Sequence, residues 1–147
     1  MKFAPVALEG PWRLPGPVAP CFNARMTSNQ PWWLTMPPAE LAAVILPFFS
    51  SWESQRERGA RKGIVAWLSG QADKRLIIPS QEVFENPNVR AVAEAIQHLE
   101  RACLLMRDID DGDPTHCYIG ITRLGMHALQ TNTVRQHLGL SDAPPTT

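Results

Sequence analysis

Cysteine is scarce in this chain of 147 residues, and the three present, Cys21, Cys103 and Cys117, are odd in number and widely scattered. A disulfide framework needs an even, closely spaced set, so they read as reduced cytosolic thiols. An excess of charge of either sign is missing too: Lys+Arg 14 stand against Asp+Glu 14, a formal net charge of +0. That excludes a protein that holds nucleic acid merely by being basic, while leaving room for a local basic patch. Long apolar runs are absent. The most apolar stretch, Leu41 to Phe49, falls well short of the ~18–20 residues of a spanning helix. Pro5, Pro11, Pro15 and Pro17 interrupt any signal-peptide core. A soluble, cytoplasmic protein without a membrane partner is the expectation. The chain also lacks the phosphate-loop, Rossmann glycine, nucleophile-elbow and zinc-protease patterns. His98, Cys103, His116 and Cys117 have no C-x-x-C or H-x-x-x-H spacing that would suit zinc. No enzyme, cofactor or metal is expected.

What is present is proline, 14 in all, with eight of them before residue 40. Proline lacks the N–H that helices and central strands use, so 1–38 should form an irregular arm. Phe3, Trp12, Phe22, Trp32 and Trp33 are costly to leave in water, so the arm should wrap the domain or a partner. The hydrophobic share of 44% is enough for a core. The ordered domain should run over 39–140, with 141–147 a disordered tail.

Within it, Thr35 offers a cap and Pro37 and Pro38 a first turn, so a helix should cover 39–53. Leu41, Val44, Ile45, Phe48 and Trp52 follow at helical spacing, with Leu46 and Phe49 on the other side and Pro47 as a kink. A helix apolar nearly all round suits a dimer interface. A second helix is expected over 60–69 with Gly70 as its stop, a short strand over 75–78, and a short helix over 81–85. The clearest helix spans 89–103, capped by Asn88. Val89, Val92, Ile96, Leu99 and Cys103 share one stripe, and Arg90, Glu94, Gln97 and Arg101 the opposite one. Strands follow over 104–109 and 117–121, joined by the Asp110–Pro114 turn, then a last helix over 123–138 capped by Thr122. The fold class is therefore mainly α with a small β-hairpin, α+β.

The order of these elements over 60–138 resembles a winged helix-turn-helix domain. Leu99-Glu100-Arg101-Ala102-Cys103-Leu104-Leu105, a helix running straight into a strand, is similar to the "Leu-Glu-Arg-x-Gly-Leu-Leu/Val" passage of bacterial MarR/PadR-type regulators. Thr122, Gly125 and Leu129 are similar to that family's "Thr-x-x-Gly-x-x-x-Leu" entry into the last helix. Two positions depart from the pattern: Cys103 stands where the family has Gly, and the hairpin tip is acidic where a wing usually carries Arg or Lys.

The resemblance implies double-stranded DNA as partner, with 89–102 in the major groove and the hairpin along the backbone. Arg90 and Arg101 have the reach for phosphate or guanine, Gln97 for adenine, and Glu94 for a cytosine amino group, with His98 beside them. Glu94 is equally suited to pair with Arg90 or His98 at i,i+4. Residues 54–75 hold six bases against two acids, and Arg58, Arg61 and Lys62 are candidates for phosphate contacts. A solvated loop is the blander reading. A homodimer suits two-fold operators. The alternative is an adaptor or inhibitor that binds a protein through Asp108, Asp110, Asp111 and Asp113 of the acidic wing and through Trp32 and Trp33 of the arm. Against DNA, four carboxylates at the tip are repelled.

Overall fold

The computed structural model describes residues 30–51, 55–70, 83–109, 112–113 and 116–142. Helix α1 (Pro38–Ile45) starts with Pro at its first position. Thr35 is not its cap: its hydroxyl bonds back to the Trp32 carbonyl at 2.9 Å in the preceding turn, and Pro37 stands at the N-cap. From Leu46 the helix tightens into a 3-10 turn through Ser51 that contains Pro47. Strand β1 (Gln55–Arg56) leads directly into α2 (Glu57–Leu68), which ends in Gly70 at φ +69°. The long helix α3 (Pro87–Arg101) precedes the hairpin β2 (Leu105–Ile109) and β3 (Cys117–Ile121), and α4 (Arg123–Thr131) and α5 (Val134–His137) follow. The result is a mainly helical α+β fold. Its sheet is antiparallel in the order β1-β3-β2, with Arg56 opposite Tyr118 and Arg107 opposite Ile119.

Local chemistry explains the long helix. The Asn86 side chain, not Asn88, is the N-cap of α3, accepting from the backbone N–H of Asn88 at 3.0 Å and of Val89 at 3.4 Å, and Pro87 takes N1. Asn88 is thereby left to accept from Trp33 Nε1 at 3.0 Å. At the other end, Cys103 adopts φ +58°. Its N–H bonds to Glu100 O and that of Leu104 to Leu99 O, the paired bonds of a Schellman stop. Cys103 is therefore exposed outside the helix rather than on its apolar stripe. The same device divides the expected last helix in two: Asn132 sits at φ +56°, and Thr133 N–H bonds to Ala128 O.

The apolar stripe of α3, Val89, Val92, Ile96 and Leu99, is buried to within 1% exposure. It packs chiefly on α1, whose Leu41, Ala42 and Ile45 are equally buried, with Leu46 and Phe49 just beyond. The inner face of the expected dimer helix is thus covered by its own chain. Trp33, expected in a partner-contacting arm, is itself core at 7% exposure, and Trp32 packs beside it. The stretch from 55 to 68 is strand and helix, not a solvated loop. Residues 83–85 form a turn rather than the end of a short helix. The arm over 1–29, the strand expected over 75–78, Trp52 and the tail from 143 lie outside the described residues. Among the described residues no helix is long and apolar enough to cross a membrane.

Candidate functional site

Helix α3 buries one side on α1 and α2 and turns the other outward, and that outward side carries the candidate residues. Arg90, Gln97 and Arg101 are exposed, while Glu94 and His98 are half-buried between them. Arg90 is held on two sides: its Nε lies 3.3 Å from Glu94 Oε1, and its guanidinium sits 5.9 Å from the centre of the Phe84 ring. Glu94 therefore takes Arg90 as its partner. Exposed i,i+4 pairs are weak, roughly 0.3–0.5 kcal/mol, so Arg90 is easily redirected to another anion. Gln97 and Arg101 have no hydrogen-bond or ion-pair partner among the described residues. Phe84 is 86% exposed, ahead of α3 on the same side as Arg90. Helical periodicity does not mark this residue, although a Phe in a polar turn is itself a signal.

Helix α2 contributes a second set. Arg58 and Lys62, four residues apart and so on one face, are exposed. Arg61 lies otherwise: its side chain is mostly buried and stands 3.7 Å from Glu57. It is not a free surface cation. Lys74 and Arg75, the rest of the basic stretch, lie outside the described residues.

The hairpin is organised around Arg107. Period-two alternation places it with Leu105 and Ile119 on the inner face of the sheet. Its guanidinium bonds to both Glu100 oxygens, Nε at 2.8 Å and Nη2 at 3.1 Å, and to Glu57 Oε2 at 2.8 Å. One cation thus ties β2 to the end of α3 and the start of α2. The bond to Glu100 and the nearness of Glu57 hold it protonated far above its ordinary range, outweighing its partial burial. Arg107 consequently does not offset the hairpin tip. Asp108 is exposed on the outer face, and Asp113 meets His116 Nδ1 at 2.9 Å. Asp110 and Asp111 lie outside the described residues. Alternation counted from buried Leu105 was the signal that could have separated Arg107 from the carboxylates around it.

The two stretches that carry the winged-helix resemblance touch. Thr122 Oγ1 donates to Cys103 O at 2.7 Å, Thr122 N–H bonds to Leu104 O at 3.0 Å, and the same hydroxyl caps Gly125 N–H at 2.9 Å. A Cβ on Gly125 would stand 2.3 Å from the Leu104 carbonyl oxygen. The Thr and Gly of that pattern are thus what let α4 seat against the corner where α3 becomes β2. No family model, curated protein or solved structure matches this chain.

Proposed function

We propose that this chain is a winged helix-turn-helix protein that binds double-stranded DNA with α3 in the major groove and regulates transcription in the cytoplasm of a prokaryote, phage or plasmid. The observation that carries the reading is the corner between α3 and β2, where the two resembling stretches meet on Thr122 and Gly125. The order α1-β1-α2-α3-β2-β3, with β1 on the return strand of the hairpin, also supports it. On this reading α1 is the first helix of the domain, and α2 and α3 are its helix-turn-helix pair. Arg90, Gln97 and Arg101 face base edges, with Glu94 and His98 between them, and Arg58 and Lys62 meet phosphates. The protein binds as a homodimer, because two-fold half-sites favour two-fold proteins.

Mobility shift with a pool of random duplexes between 50 and 200 mM salt tests this. Affinity is expected to fall by at least about tenfold across that range, as for proteins that neutralise several phosphates. Arg90→Ala/Arg101→Ala is expected to lower it by at least about tenfold at fixed salt. Binding that ignores both changes sinks the reading.

A second reading rests on the inward turn of Arg107, which leaves Asp108 uncompensated by it at the outer face. Here the acidic hairpin holds a basic protein partner. Affinity capture that recovers a stoichiometric protein, and loses it with Asp110/Asp111/Asp113→Asn, favours this adaptor role over DNA.

A further inference from the structure

We infer that the cleft between the start of α2 and the start of β3 is a binding site for a small phosphate monoester. It offers about 430 Å³, within the range of small-molecule sites, and none of the residues assigned to base reading lines it, though it shares Arg58 with the proposed phosphate contacts. Arg56, Arg58 and Arg61 line one side, and His116 and Cys117 the other. The carboxylate in its wall, Glu57, is already bonded to Arg107 at 2.8 Å and stands 3.7 Å from Arg61. Three arginines thus line a concavity whose carboxylate is neutralised from behind. Guanidinium forks suit the oxygens of phosphate better than any other cationic side chain.

Two further observations point to a missing acceptor. Arg61 Nε is shut off from water, and it has no hydrogen-bond partner among the described residues. A buried donor left in that state is unfavourable, and a turn of the Arg61 side chain away from Glu57 would be needed to bring it to an anionic oxygen in the cleft. The first turn of α2 also has no side-chain cap, since Arg56 occupies the N-cap. Its N–H groups and the helix dipole favour the same anion. Cys117 does not oppose it, because burial pushes its thiol up and keeps it neutral near pH 7.

Gly59 is an exposed residue of the cleft lining. A Cβ there would meet nothing within 4 Å, so a larger side chain has room to extend over the cleft. The concave shape argues for a terminal phosphate with three free oxygens over a diester, whose chain must both enter and leave. The inference shares Arg58 with the DNA reading but does not rest on it.

Thermal unfolding of the full chain, followed by tryptophan fluorescence, tests it with inorganic phosphate and ribose 5-phosphate as probes. Ribose and sodium chloride at matched ionic strength serve as controls. Tm is expected to rise with the logarithm of phosphate or ribose 5-phosphate concentration and not with either control. Gly59→Leu fills the cleft and, with Leu the better helix former, leaves the free protein at least as stable. It and Arg58→Ala are each expected to weaken the response by about tenfold or more. No rise in Tm beyond the chloride control overturns the proposal, and so does an equal rise in Gly59→Leu. If Gly59→Leu instead weakens a random duplex and leaves ribose 5-phosphate unaffected, the cleft seats a backbone diester and the monoester is likewise overturned.

Discussion

Cys103 and Gly125 sit at one corner, and both positions favour a residue without a Cβ, the first for its backbone conformation and the second for space. Cys103 holds φ +58°, a conformation that costs a residue with a Cβ about 1–2 kcal/mol, and being exposed it repays little by packing. Cys103→Gly is therefore expected to stabilise the protein by about 1 kcal/mol, net of the greater freedom of glycine in the unfolded chain. A raised urea midpoint with an unchanged slope would show it. Gly125→Ala pushes a Cβ to within 2.3 Å of a backbone oxygen that cannot retreat without breaking the Thr122 contacts. The expected loss is about 3 kcal/mol or more in the same titration. The two thiols among the described residues differ as well. Cys103 is open to reagent, while Cys117 is half-buried and its thiol is pushed above the ordinary value of 9.0, mainly by burial. Peptide mapping after brief iodoacetamide treatment at pH 8 should find Cys103 alkylated first. Linkage sets the sign for stability: below the ordinary value folded and unfolded chains both keep the Cys117 proton, and above it the unfolded chain gives it up first. This thiol therefore lowers stability only as the pH rises through alkaline values.

Among elements, the joint made by Arg107 is the most informative, because one side chain on β2 engages α2 and α3 together. Arg107→Met leaves the Glu57 and Glu100 carboxylates without the cation between them. About 1–2 kcal/mol is expected to be lost, less at high salt because the group is partly exposed. Arg107→Lys should recover only part of it, since an ammonium cannot bond Glu100 through two nitrogens. Chemical denaturation of the three proteins at two salt concentrations checks both statements. Much of this architecture was legible beforehand. The stripe of Val89, Val92, Ile96 and Leu99 gave the long helix, and the Asp-Gly-Asp-Pro turn gave the hairpin. What escaped had physical causes. Strand β1 has two residues, too few for any alternation to register, and it exists because β3 pairs with it. The division at Asn132 was hidden because Leu124, Ala128, Leu129, Val134 and Leu138 continue a helical pattern across it. A single left-handed residue redirects the chain without disturbing that spacing. Of the candidate site, the exposure of Arg90, Gln97 and Arg101 followed from periodicity. The burial of Arg61, the inward turn of Arg107 and the cleft at Gly59 depend on which elements meet, which no local window contains.

Over the whole molecule, the structure is closed by contacts between distant parts of the chain. Arg135 on α5 reaches Glu40 on α1 through both terminal nitrogens and also bonds to Ser141 O at 3.1 Å. A double-mutant cycle with Glu40→Gln and Arg135→Met should give a coupling of about 1 kcal/mol, the upper range for a pair that solvent still reaches. Additivity within error would show that the latch contributes nothing. The packing of α1 on α3 carries a further consequence, for the chain during its synthesis. The face of α1 that holds Leu41, Ala42 and Ile45 is made early, and the surface that covers it is made only with α3. At about 5–20 residues per second of translation, that apolar face waits several seconds for its partner. A nascent chain in that interval presents a sticky helix to its neighbours on the polysome. Yield on overexpression should therefore depend on chaperone supply more steeply than the stability of the finished protein would suggest.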